Sequence, residues 1–293
     1  MPRVQSSWYP WRVLWNVLWV VGWIAGLWGA GLYVRAGNFA LALLLLLLSL
    51  GLLWCRSGIS TISALTRFCF DPSTSVTKVA NPLTLGCSLL GYDLFLSLIG
   101  AFFVALPIGK HLGATSIASI ALSRPWVLLF LFAPVSEELV WRLPLRYTKV
   151  NLTISGLLAT LFVVRRLLLK FGIFGATTRW LWSAIFALLV ACVVRVLLRT
   201  EPVERLTSRI WSNHFRFVAY VSCFGFGLLH ISNFRFPEFT TETLMLAPLL
   251  VLPQIISGFI FAFARMRLGM IWCIVLHAAM NFLAFWLFPV RPR

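Results

Sequence analysis

Acidic side chains are scarce in this chain, with 8 Asp and Glu against 25 Lys and Arg in 293 residues and a formal net charge of +17. An excess of that size invites a nucleic-acid reading, but the cations sit between hydrophobic runs and no basic run is interleaved with a nucleic-acid fold signature. They read as loop anchors at anionic lipid headgroups, so no nucleic-acid partner is expected. Cysteine pairs are absent too. Cys55, Cys69, Cys87, Cys192, Cys223 and Cys273 are scattered with no C-x-x-C, which excludes a cysteine-built zinc or redox motif and leaves core-filling thiols. There is no H-E-x-x-H, the helical zinc-protease signature. There is no internal repeat, which argues against a transporter built on inverted halves.

What the chain has in quantity is apolar surface. Apolar residues make up 60% of it, with 25 Phe and 14 Trp, and the mean hydropathy is +0.92, more than a soluble domain can bury. The expected fold is all-α, a polytopic transmembrane bundle. After a first stretch at about 11–34, apolar runs follow at about 38–55, 84–107, 126–145, 152–169, 179–199, 215–233, 243–264 and 268–288. Each is near the length that crosses about 30 Å of hydrocarbon, which gives about eight or nine helices. The 152–169 run is the weakest, because Arg165, Arg166 and Lys170 crowd its end and an interfacial position would suit it.

The first stretch is too long for a signal-peptide core and has no convincing cleavage site, so it is expected to be retained. It carries Trp11, Trp15, Trp19 and Trp23 at helical spacing and a Gly22/Gly26 pair, which suits either a docking face or packing within the chain. The polar break at 56–83 divides an N-terminal hairpin with its connection (1–83) from a main bundle (84–293).

Against this apolar background, a few ionisable and strongly polar groups fall inside the runs: Glu137, Glu138, Arg142, His230, His277 and Asn281. Charged or polar groups in hydrocarbon are costly and commonly have a task. Glu137 and Glu138 are adjacent on a helix and point about 100° apart. Arg142, four residues after Glu138, can pair with it and lower the cost of burying both, which leaves Glu137 to face a cavity as a general base for water. A structural Glu–Arg clamp would explain the same spacing. Phe226 and His230 share a helical face, with Gly225 and Gly227 allowing close helix approach. His277 and Asn281 are also at i, i+4, where two neutral donors side by side suit a developing oxyanion. His111 and His214 fall in connections and are expected to be solvated.

As an ordered set, Glu137-Glu138 with Arg142, Phe226 with His230, and His277 with Asn281 resemble the motifs E-E-x-x-x-R, F-x-x-x-H and H-x-x-x-N. These belong to the CAAX protease and bacteriocin-processing (CPBP, or Abi) intramembrane proteases, relatives of the type II CAAX prenyl endopeptidases. The resemblance covers about 125–288 and does not reach 1–83. It implies that Glu137 and His230 activate the attacking water, that His277 and Asn281 stabilise the tetrahedral intermediate, and that Glu138, Arg142 and Phe226 support them.

The implied substrate is a membrane-associated or lipidated protein or peptide, and the implied location is a multi-pass protein of a bacterial plasma membrane; the oligomeric state stays open. Zinc could use Glu137, His230 and His277. The missing H-E-x-x-H and the presence of Asn281 favour a metal-free centre. Two other functions stay open at this point: a non-catalytic membrane partner of the same fold, in peptide immunity or assembly, and a proton-coupled transporter.

Overall fold

The computed structural model describes residues 61–74, 81–116 and 128–287, so the readings at 11–34 and 38–55 lie outside the described residues. Within them the chain is a series of helices joined by turns and short connections, with one two-residue strand pair. Helix α1 (Pro82–Gly100) is started by Asn81, whose side chain accepts from the Thr84 amide, with Pro82 in the first turn, where its missing N–H costs nothing. It runs through a π-helical turn at Ala101–Ala105 into α2 (Leu106–His111), a 30-residue apolar rod from Pro82 to His111.

A second π-helical turn, Leu128–Phe132, feeds the short α3 (Ala133–Trp141). Helices α4 (Lys149–Lys170) and α5 (Ala176–Leu197) form a hairpin, α6 (Glu201–Asn213) connects it onward, and α7 (Phe215–Leu229) returns. Helices α8 (Thr241–Leu250), α9 (Leu252–Arg267) and α10 (Met270–Leu287) complete the chain. Strand β1 (Thr115–Ser116) pairs antiparallel with β2 (Phe234–Arg235), tying the end of the first rod to the segment just after His230.

Among the described residues, four helices are long and apolar enough to cross a membrane: Pro82–His111, Lys149–Lys170, Ala176–Leu197 and Phe215–Asn233, the last including the turn after α7. The 152–169 run is therefore a 22-residue helix of spanning length and hydropathy. Three runs differ from their sequence reading. The 126–145 helix stops at Trp141 and gives way to a 3-10 turn at Leu143–Leu145, around Pro144. The 243–264 run is two helices bent by 46°, with Pro248 inside the first and Pro253 opening the second, each lacking the amide that a continuous ladder needs. The 215–233 run leaves α-helix after Leu229, so His230 caps α7 and starts a 3-10 turn.

The core lies between α1, α7, α9 and α10, around Leu89, Cys223, Phe226, Ile260, Phe261 and Cys273. The polar 56–83 stretch contributes to it, because residues 61–70 are helical and bury Leu65 and Phe68, with Phe68 edge-on to Phe263 at 5.5 Å. Tyr220 on α7 donates to the carbonyls of Cys69 and Phe70, and Arg216 pairs with Asp71 at 2.6 Å.

Two glycines set how closely α7 and α9 approach. A Cβ at Gly227 would stand 2.9 Å from the backbone N and Cα of Ile255, and one at Gly258 would stand 2.7 Å from the Cys223 carbonyl oxygen. Gly227→Ala should therefore push α7 from α9 and destabilise the bundle by about 1–3 kcal/mol, the usual cost of overpacking. Thermal melting in detergent checks this against Gly156→Ala, where nothing lies within 4 Å of the new Cβ and stability should stay at or slightly above the parent.

Candidate active site

Helix α3 ends inside the bundle, and its last carbonyls have no water to turn to. Side chains from three other helices cover them. Ser155 on α4 donates to the Val140 carbonyl at 2.6 Å, Ser222 on α7 to the Trp141 carbonyl at 2.6 Å, and Arg265 Nε on α9 to the Arg142 carbonyl at 3.2 Å. These bonds seat the end of α3, with Glu137 and Glu138 on it and Arg142 capping it, against the rest of the bundle.

Glu138 and Arg142 are fully buried, with Nε 3.4 Å from Oε2, a charge contact without hydrogen-bond alignment. Arg142 Nη2 donates to the Gly258 carbonyl at 3.2 Å, and its guanidinium lies 4.0 Å over the centre of the Phe226 ring. A buried cation thus has an anion, a carbonyl and an aromatic face around it. Glu138 Oε1 meets His277 Nδ1 at 2.9 Å. With Glu138 as the carboxylate partner of Arg142, Nδ1–H donates and the ring turns Nε2 the other way.

Glu137 points elsewhere and keeps 35% of its side chain exposed. His230 Nε2 and His277 Nε2 each lie 3.8 Å from its Oε2. His230 Nδ1 is 2.8 Å from the Phe226 carbonyl, which can only accept, so Nδ1 carries the proton and Nε2 faces Glu137 with its lone pair. Three groups from α3, the end of α7 and α10 thus converge on one spot, at separations too long for direct hydrogen bonds. Asn281, half-buried, follows His277 by one turn of α10.

Phe226 is the packing centre of the group. Its ring is 2% exposed, meets His230 at 4.8 Å and His277 at 5.5 Å edge-on, and carries Arg142 on its face. The seven residues singled out in the sequence occupy one region, while His111 and His214 lie outside it and are exposed, His111 against Glu242 at 2.8 Å. Phe224 faces outward onto Phe259.

Sequence reasoning missed Phe261, which stacks on His277 at 5.0 Å, and Gly258, whose carbonyl holds Arg142; nothing in their types or spacing marks them. It also missed Asp93, a fully buried carboxylate on α1 bonded to Ser257 at 2.6 Å. A lone acidic residue inside an apolar run was a readable signal.

The donor types of Glu137, His230 and His277 are those zinc uses, and hydrogen-bonded far nitrogens are common behind metal-binding histidines. Yet among the described residues no group of three or more His, Cys, Asp or Glu side chains is arranged to hold a metal ion.

No curated protein and no solved structure was found to match the chain. A family model does: type II CAAX prenyl endopeptidase Rce1-like, over residues 119–283, the stretch that contains all three motif pairs and more than half of the chain. The protein is an integral membrane protein that belongs to the Rce1-like family of type II CAAX prenyl endopeptidases.

Proposed function

We propose that the protein is an intramembrane endopeptidase that hydrolyses a peptide bond of a membrane-associated or lipidated protein or peptide, using a water activated by Glu137 and His230. The observation that carries this reading is the convergence of His230 and His277 on one carboxylate oxygen of the partly exposed Glu137, beside the buried Glu138–Arg142 pair.

In this reading the water donates a proton to Glu137 and a hydrogen bond to His230 Nε2, and its oxygen attacks the scissile carbonyl carbon. The carbonyl π pair moves to oxygen. Asn281 donates to that oxyanion through its amide N–H. His277 does so only as the imidazolium, because its Nδ1–H is held by Glu138; Glu138 is then the anion that supports the charged ring. Collapse of the intermediate breaks the C–N bond, and the proton held by Glu137 passes to the leaving amine. One water is consumed, and a carboxylic acid, which then ionises, and an amine are released.

No step is routed through a metal. The missing H-E-x-x-H and the presence of Asn281 favour a metal-free centre, so activity should survive extended chelation with a zinc chelator and should not rise on adding zinc. Loss on chelation with recovery on zinc would contradict that.

Purified protein in lipid should cleave at least one hydrophobic or lipidated peptide from a broad panel. Glu137→Gln, which keeps the shape and removes the base, should remain folded and lose about 10²–10⁴-fold or more in turnover. Proton-coupled transport without cleavage, or binding without either, would favour one of the non-proteolytic readings.

The two carboxylates should separate in stability. Glu138→Gln strands Arg142 and weakens the His277 bond, a defect of about 3–5 kcal/mol, so its melting temperature should fall well below that of Glu137→Gln. Adding Arg142→Gln should recover part of that loss, as coupling in a shared network requires. A stable, inactive Glu138→Gln beside an active Glu137→Gln would reverse the assignment of the base.

A further inference from the structure

Asp93 belongs to none of the three motifs and precedes the residues matched by the family model. It sits in the middle of α1 with no exposure. Oδ1 accepts from Ser257 Oγ at 2.6 Å and from Ser97 Oγ at 3.2 Å, while Oδ2 is buried with no hydrogen-bond partner.

Ser257 immediately precedes Gly258 on α9, and the Gly258 carbonyl is the oxygen that holds Arg142 Nη2. Arg142 Nη1 is likewise buried without a hydrogen-bond partner. Asp93 is within electrostatic reach of both Arg142 and His277. A continuous path therefore runs from Asp93 through Ser257 and Gly258 to Arg142, and on through Glu138 to His277.

The residue type carries the argument. Asn has nearly the same shape and offers an oxygen that could accept from both serines, without placing an ionisable group in hydrocarbon. What the carboxyl group adds over an amide is an ionisable oxygen, Oδ2, and the groups it can act on are the cation that anchors Glu138 and the imidazole that Glu138 orients.

We propose that Asp93 is a positioning residue of the proteolytic centre: from the α1 side it acts on Arg142 through the Ser257–Gly258 segment and its own charge, leaving Glu138 free to hold His277. This rests on the proteolytic reading for its effect on turnover, and on geometry alone for its effect on His277.

The test uses the full chain in lipid, with the reaction followed on a membrane peptide that the parent cleaves and with all histidines labelled with ¹⁵N. Asp93→Asn keeps an acceptor for both serines. It should melt close to the parent, lose about tenfold or more in kcat with KM within about twofold, and shift the His277 resonance while those of the outlying His111 and His214 stay in place. A merely structural hydrogen bond would be rescued by Asn.

Parent-like kcat, or an unmoved His277 resonance, overturns the proposal. Should Asp93→Asn fail to fold, Ser257→Ala decides: it removes the shorter bond and leaves the carboxyl group, and it should lower kcat several-fold at unchanged KM with a shifted His277 resonance, whereas parent-like values for either overturn it. Should the parent cleave no peptide, the proteolytic reading fails by itself, and the His277 resonance alone decides whether Asp93 positions that ring.

Discussion

A guanidinium with no exposed surface, inside a bundle that crosses a membrane, has to find every partner within the protein, and Arg142 is that group here. Its anion comes from its own helix, its carbonyl from α9 and its aromatic face from α7. Each of those partners is held in turn. Gly258 can offer its carbonyl because it has no side chain to collide with the Cys223 backbone, and Phe226 reaches the guanidinium because Gly227 lets α7 settle on Ile255. Packing between α7 and α9 and the solvation of one cation are thus the same problem, solved by two glycines.

The chemistry inherits that frame. Glu138 is fully committed to Arg142 and His277, so it is poorly placed to turn toward substrate. Glu137, one residue earlier and on a different face, carries none of that burden and keeps part of its side chain exposed. Both imidazoles have their Nδ1 protons fixed, one by a backbone carbonyl at the end of α7 and the other by Glu138, so their Nε2 atoms face Glu137. The end of α7 at Leu229 matters for the same reason: His230 sits where the helix gives way to a 3-10 turn, so its ring projects from a helix end.

Much of this can be read from spacing. The i, i+4 relation of Glu138 to Arg142 and the divergence of two adjacent glutamates follow from helical geometry alone. What periodicity does not contain is convergence, because nothing local says that α3, α7 and α10 point at one another. Hydropathy also averages across breaks: 243–264 reads as one apolar run although Pro248 and Pro253 divide it, and 215–233 conceals the helix end at Leu229. Leu65 and Phe68 went unread because the helical residues 61–70 fall within a stretch that reads as a polar break. Asp93 is a different case. Its charge stood out within the 84–107 run, and attention to the motif positions passed over a residue that the same cost argument marks just as strongly.

The central claim is that Glu137 acts on a water and not on the substrate. It is tested most directly by running many turnovers on a membrane peptide in H₂¹⁸O and weighing both the new C-terminus and the enzyme fragment that contains Glu137. The account predicts one ¹⁸O in each new carboxyl group and none in Glu137. Label accumulating in the Glu137 carboxyl group would mean that it attacks the peptide and is itself hydrolysed, and would contradict the account.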